Sequence, residues 1–498
     1  MKKQFFYAAM AITFMASCTS DDTVAVDPVN PTPEESRVAI ELGVNTPNIK
    51  VSSRGTGTVG SVAGESEDIG WNNQALKIVM VDENGGKAQE ETETGTEYIF
   101  EGLTFNAPYS NATDKNIRIY VSEGLFQHKY YPVTGKFDFY GYHVDGLTCT
   151  ETITAKTDTD PAVATVTAIN IDGSQDILAA QTIDIPAEEG TAQTNAYYDV
   201  ITNNPNINWS EMAQNQFSAR TARNKIVPIL DFKHQLARLK FYVRAGSEAT
   251  ASKSYDNGAW TDKNKTADPS DPNYELSNGA VYVTKIAALH MTKSIAINLA
   301  GTNGPTTTAD EATTYGPFEL KSKDPSVQST ELSELIALIP TAPEYDWSNE
   351  TAIAALNNYK GTPVGEALMF LPDANIASYT DDTTAPTNAT DTEIVLSIDL
   401  AQYLPDTEEE DDADGDGITG ETTFILKEQK NQLISLPASK IVGSTTQTGE
   451  PTSFKFMPGE SYNVYITIYG MERIVVSAEL TDWVNGGDVD LDIEDDKY

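Results

Sequence analysis

Stretches in which apolar and polar residues alternate, cut at short intervals by turn residues, run through most of this 498-residue chain. A period of two puts every second side chain on one face, which suits a strand with one buried side and not a helix. Residues 76–81, 98–100, 117–121 and 136–142 read this way, and a second series follows at 281–283, 285–291, 294–299, 367–372 and 394–400. Val, Ile, Thr and Tyr are plentiful, Asn-Gly, Asp-Gly and Pro-containing breaks are frequent, and helical periodicity is scarce. The expected fold class is therefore all-β. Residues 229–243 are mixed: the first half can be read as a helix, whereas Leu239-Lys240-Phe241-Tyr242-Val243 reads as a strand. Residues 462–469 and 473–483, broken at Gly470, form the clearest hairpin pattern.

A chain of this length predicts about two or three domains. A polar break over 203–224 separates the two strand series, so two β-sandwiches in tandem, divided between Arg223 and Gly246, are the simplest architecture. The expected layout is 1–17 as an export signal, 18–54 as a tether with a first strand, and 55–228 and 229–498 as two sandwich domains. A formal charge of −41 argues against nucleic acid as a partner, because phosphate binding needs clustered Lys and Arg. Cys18 and Cys149 are the only cysteines. No disulfide framework is expected, and stability must come from cores and strand pairing.

The N-terminus runs Met1-Lys2-Lys3, an apolar stretch over 5–14, and small residues before Cys18, the order of a secretory signal. It is too short to span a bilayer, which takes roughly 20 apolar residues. Met15-Ala16-Ser17-Cys18 resembles a bacterial lipobox, with Met15 where Leu is commonest. That resemblance implies cleavage before Cys18, acylation of the cysteine with palmitate among its chains, and a lipid anchor in the outer membrane. Asp21 and Asp22 behind it resemble a surface-export signal of Gram-negative anaerobes, with a solvated linker as the plain alternative. Residues 27–35 are Pro-rich and acidic and cannot pack, so they form an extended tether. Val38, Ile40, Leu42 and Val44 then alternate as a short strand, followed by Arg54-Gly55-Thr56-Gly57-Thr58, a polar loop open to a protease.

Catalytic motifs are absent from the sequence. His128, His143, His234 and His290 are scattered, with no zinc-ligand spacing, and no nucleophile elbow, phosphate loop or dinucleotide fingerprint occurs. With 74 acidic residues, any chosen carboxylate pair is uninformative, and the expectation is a protein that is not an enzyme. Asp412, Asp414 and Asp416 match the first half of a calcium loop. The twelfth position is Thr423 rather than the Glu such a loop requires, and the acidic run over 408–411 fits a solvated loop. Both readings stand, and no other cofactor is expected.

Four segments together resemble the fimbrillin family of type V pilins. They are Phe139-Tyr140-Gly141-Tyr142, Phe232-Lys233-His234-Gln235-Leu236-Ala237-Arg238-Leu239-Lys240-Phe241, Leu368-Met369-Phe370-Leu371-Pro372, and Pro458-Gly459-Glu460-Ser461-Tyr462 through Trp483-Val484-Asn485-Gly486-Gly487. The resemblance implies two transthyretin-like β-sandwiches exported as a lipoprotein and clipped by an arginine-specific protease. It places the cut between Arg54 and Gly55, with Arg37 as runner-up, and removes the strand bearing Val38, Ile40, Leu42 and Val44. It further implies adhesion, a place in a cell-surface fimbrium, and assembly with other fimbrial subunits by donor-strand exchange, in which a strand from one subunit enters a groove of the next. Candidate donors are Ile474, Val476, Ala478 and Leu480, or the tail residues Val489, Leu491 and Ile493. The host or bacterial receptor is unknown. The alternative is a surface glycan-binding lipoprotein that does not polymerise, using exposed aromatic residues.

Overall fold

The protein is described by a computed structural model that covers residues 37–45, 71, 73–92, 95–108, 116–122, 125–185, 196–203, 208–214, 216–245, 253–256, 259–262, 280–310, 314–321, 336–337, 362–372, 393–405, 424–438, 441–442, 456–471 and 473–481. In the first half the strands are β1 (Leu42–Asn45), β2 (Ala75–Asp82), β3 (Gln89–Thr92), β4 (Gly95–Tyr98), β5 (Thr104–Asn106), β6 (Asn116–Ser122), β7 (Leu125–Gln127), β8 (Phe137–Val144), β9 (Cys149–Thr154), β10 (Val163–Ile169) and β11 (Ile177–Thr182). Three short helices follow, α1 (Tyr198–Thr202), α2 (Trp209–Gln214) and α3 (Ala219–Arg223), and then β12 (Ile229–His234). The remainder comprises β13 (Ala237–Ala245), β14 (Lys253–Asp256), β15 (Ala259–Asp262), β16 (Val281–Thr292), β17 (Ser294–Asn298), β18 (Thr306–Ala309), β19 (Tyr315–Glu319), β20 (Ile336–Ala337), β21 (Thr362–Phe370), β22 (Glu393–Pro405), β23 (Phe424–Pro437), β24 (Ile441–Val442), β25 (Ser461–Gly470) and β26 (Arg473–Thr481). The protein is all-β.

The first sheet has the order β1-β12-β11-β8-β2-β5-β6-β7, and β1 also pairs with β6. That extra pairing closes the sheet on itself. Alternation explains what fills it: Leu76, Ile78 and Met80 of β2, Phe137 and Phe139 of β8, Leu178 and Ala180 of β11, and Leu230 and Phe232 of β12 are all buried in one cluster. Trp71 stands edge-on to Phe232 at 5.1 Å within it. The opposite face of the same sheet sends Tyr142, Ile177 and Ala179 into a second cluster.

That second cluster joins the two halves of the chain. A four-stranded sheet of order β18-β17-β10-β9 takes two strands from each half, with β10 antiparallel to β17 from Thr165↔Asn298 to Ile169↔Ser294. Two five-stranded groups complete the C-terminal part, β21-β13-β25-β26-β24 and β19-β16-β22-β23 with β20 on β16. Leu239, Phe241 and Val243 of β13, Val464, Ile466 and Ile468 of β25, and Leu396 and Ile398 of β22 share the core. The hairpin expected near the C-terminus is β25–β26, paired from Ser461↔Thr481 to Gly470↔Arg473.

Two local expectations need correction. The first half of 229–243 is strand β12, not helix: Leu230, Phe232 and His234 are buried while Lys233 is exposed, a period of two that a helix would scatter. The run at 98–100 ends its strand at Tyr98, opposite Gln89, and Ile99 and Phe100 turn inward to the core. The division expected after residue 228 falls just before β12, a strand that belongs to the first sheet.

The polar residues of the resemblance segment 232–241 sit where the halves meet. His234 Nδ1 lies 3.0 Å from Asp176 Oδ1, and the Gln235 amide donates to the Ile177 carbonyl at 2.8 Å. Arg238 is 1% exposed. Burial pushes its guanidinium down to about 10, and the nearby Asp176 charge acts in the other direction. Gln181 Nε2 donates to the Leu299 and Gly301 carbonyls at 2.7 and 2.8 Å, a further tie between the halves.

Gly141 is required by close approach rather than by backbone conformation. A Cβ there would lie 2.7 Å from Phe232 Cζ and 3.2 Å from Ile78 Cδ1, so Gly141→Ala is expected to destabilise the protein by roughly 1–3 kcal/mol. Chemical denaturation measures this, and an unchanged midpoint would contradict the packing of β8 on β12.

Candidate functional site

The chain enters the fold through a segment that satisfies neighbours on both sides. The Tyr131 amide donates to the Val38 carbonyl at 2.9 Å and the Ile40 amide to the Lys129 carbonyl at 2.7 Å, around an antiparallel bridge between Ala39 and Tyr130. Further along, Leu42 and Gly43 pair antiparallel with Ile117 and Asn116 of β6. The other edge of β1 runs parallel to β12, with Gly43, Val44 and Asn45 opposite Ile229, Leu230 and Asp231. The strand expected over 38–44 is thus a bridge followed by β1, and β1 is the piece that closes the first sheet.

Its side chains follow the same period. Ile40, Leu42 and Val44 are 6%, 3% and 0% exposed, Glu41 faces solvent, and Val38 packs half-buried against the cluster. At about 1.5–3 kcal/mol for each buried aliphatic side chain, the three residues contribute roughly 5–9 kcal/mol as an upper figure. Two buried phenols flank the groove in which they lie. Tyr197 accepts a hydrogen bond from the Ile229 amide at 3.0 Å, on the edge of β12 away from β1. Burial, then the Tyr197 and Glu41 charges, push the Tyr131 phenol well above its ordinary range. Both hydroxyls therefore stay neutral in the groove at physiological pH.

Arg37 precedes this segment with its guanidinium over the Tyr130 ring, 5.9 Å from the centroid. The candidate donors divide. Ile474, Val476, Ala478 and Leu480 stand on β26, opposite Ile468, Ile466, Val464 and Tyr462. The other edge of β26 is taken by β24, with Ile441 and Val442 opposite Ala478 and Glu479. Cys18, Arg54, Gly55, Asp412, Asp414, Asp416, Val489, Leu491 and Ile493 lie outside the described residues.

The titratable groups within reach have structural surroundings. Burial lowers the His143 pKa, but the Asp145 hydrogen bond and charge, the Ala75 carbonyl and Asp176 outweigh it, so the net shift is upward. Its Nδ1 lies 2.8 Å from the Ala75 carbonyl and its Nε2 2.9 Å from Asp145 Oδ1, two acceptors that suit an imidazolium. Burial and then Glu151 push the Cys149 thiol up to about 11, against the opposing effect of Lys77. A thiol that remains protonated is a poor nucleophile. Among the described residues, no group of three or more His, Cys, Asp or Glu is placed to hold a metal ion.

Sequence reasoning found the strand at 38–44 but missed its two partners. Nothing in residues 116–117 or 229–231 marks them as neighbours of a segment so distant in the chain. The only local signal is the alternation of Leu230 and Phe232, which marks β12 as one-faced.

These features define an all-β protein with a sheet closed by its own N-terminal strand. No family model matches the sequence, and no curated protein does. Among solved structures the chain is similar to a candidate cell-adhesion protein from Bacteroides uniformis, at 12% identity and TM-score 0.34, over 91% of this chain and 100% of that one. It is also similar to the tip fimbrial protein Mfa3 from Porphyromonas gingivalis with C-terminal truncation, at 8% identity and TM-score 0.31, over 89% and 100%. The fimbrial anchor protein Mfa2 from the same organism matches at 9% identity and TM-score 0.25, over 90% and 99%.

Leu42→Ala should cost about 2–5 kcal/mol, the range for a buried Leu that leaves a cavity. A thermal melt close to that of the unaltered protein would contradict the burial of this strand. For His143, a raised folded pKa gives stability that is complete below the unfolded value of about 6.5 and is lost as pH rises through the folded value. The stability difference between the unaltered protein and His143→Gln should therefore shrink as pH rises above about 6.5. A difference that grows over that range would reverse the assigned sign.

Proposed function

We propose that this protein is a structural subunit of a cell-surface fimbrium, non-enzymatic, and devoted to adhesion. The reading starts from the four segments that resemble fimbrillins, and the observation that carries it is the double pairing of β1. A strand that closes a sheet leaves two unpaired edges and an apolar groove when it departs, and an incoming strand restores both. Export as a lipoprotein acylated at Cys18 delivers the chain to the outer membrane. A cut after Arg54 by an arginine-specific protease then frees the segment bearing Ile40, Leu42 and Val44 from the body of the protein.

Two features favour Arg54 over Arg37 as the cut. Cleavage at Arg37 leaves β1 covalently attached to the body, and Arg37 is engaged on Tyr130 beside backbone already bonded to Lys129 and Tyr131. For the donor we favour Val489, Leu491 and Ile493. Their spacing matches that of Ile40, Leu42 and Val44, and β26 is already paired with β25 along its length and with β24 at Ala478 and Glu479. The partners are other fimbrial subunits, and the two parts of the chain are read as transthyretin-like sandwiches.

Limited trypsin digestion of the precursor tests this. The expected result is a new N-terminus at Gly55 and a ladder of oligomers on gels, both absent for Arg54→Gln. A clean cut that leaves only monomer would overturn the polymerising role.

A further inference from the structure

Two adjoining clefts open on the outer face of the first sheet, with volumes of about 190 and 560 Å³. Small-molecule sites commonly occupy roughly 300–1,000 Å³. The clefts meet at Tyr98, the last residue of β4, and at Lys87, both of which line each of them. Tyr98 is 41% exposed, one of the few large hydrophobic side chains open to solvent among the described residues. Lys87 Nζ stands 5.8 Å from the Tyr98 ring centroid. Val79, 4% exposed, forms part of the apolar floor of the smaller cleft.

The polar rim is held in advance. Lys87 Nζ pairs with Glu151 Oε2 at 3.3 Å, and the Tyr142 hydroxyl donates to Glu151 Oε1 at 2.6 Å. Both Lys87 and Glu151 keep about a quarter of their side-chain surface accessible, 27% and 26%. They are ordered and still reachable, which lowers the cost of ordering them around a ligand. Charge is balanced in each cleft: Lys77 and Lys87 face Glu101 and Glu151 in one, and Lys87 and Lys136 face Asp82 and Glu83 in the other. In a chain of net charge −41 this local neutrality is a departure from the whole. It disfavours phosphate-bearing ligands and free cations alike.

We infer that the Tyr98 clefts bind a neutral oligosaccharide. A pyranose ring has an apolar C–H face and a rim of hydroxyls that both donate and accept. The first matches an exposed aromatic ring, and the second matches neighbouring ammonium and carboxylate groups fixed in pairs. The smaller cleft takes one sugar unit against Tyr98 and the larger accommodates the adjoining units. This site is separate from the groove of β1 and stands whether or not the protein polymerises.

The full-length protein without its lipid, applied to an array of neutral hexose and N-acetylhexosamine oligosaccharides beside uronate-containing and sialylated ones, tests the assignment. Binding to neutral members is expected, weakened about tenfold or more by Tyr98→Ala and retained by Tyr98→Phe. Thermal melts confirm that both variants fold. The proposal is overturned if no sugar binds, if only acidic sugars bind, or if Tyr98→Ala binds as tightly as the unaltered protein.

Discussion

Closure of the first sheet by β1 is the constraint on which the rest of the N-terminal part depends. Remove the pairing of Gly43 with Asn116 on one side and Ile229 on the other, and β12 becomes an edge while Asn116 and Ile117 lose their partner, β6 keeping β5 and β7 along residues 118–122. The apolar residues behind them, including Leu230 and Phe232, then line an open groove. One short segment thus supplies backbone bonds to two strands and three aliphatic side chains to a core. Few arrangements concentrate so much stabilisation in a piece joined to the body by a single connection, residues 46–70.

Losing such a piece need not unfold the rest. Strand β12 is held from its other edge by β11, from Leu178↔His234 to Thr182↔Leu230, and its end is tied down by Asp176 and His234. Beyond it the halves of the chain share the β10–β17 pairing and one continuous core. The buried pair of His234 and Asp176 adds little net stability, but losing one partner leaves the other's polar group unmatched in the interior, so it resists rearrangement of the junction. The groove that β1 fills accordingly rests on a scaffold anchored elsewhere.

How much of this was legible in the sequence depended on how local the physics is. The strands at 76–81, 117–121 and 136–142 and the C-terminal hairpin announce themselves because alternation is a short-range property. The resemblance segments proved to be places of contact: Gly141 meets Phe232, Ala237 pairs with Phe370, and the Gly459 amide donates to the Leu236 carbonyl. Residues 229–236 misled because Phe232-Lys233-His234-Gln235 carries polar residues that a strand would place outside. His234 and Gln235 face a buried junction instead, which only long-range pairing reveals. The sharing of a sheet between β10 and β17, and the closure by β1, are non-local in the same sense. The Tyr98 clefts were invisible for another reason: Lys77 and Glu151 stand on β2 and β9 and Lys87 lies between β2 and β3, and nothing in their spacing unites them.

The central claim is that β1 is a separable closing strand over a scaffold that survives its loss. Amide hydrogen exchange on the protein cut after Arg54, with the freed N-terminal segment removed, tests it most directly. The account predicts that protection falls at Ile117 and Leu230, whose amides face β1, while β10 and β17 remain protected. Loss of protection throughout both cores, or no change at β6 and β12, would contradict it.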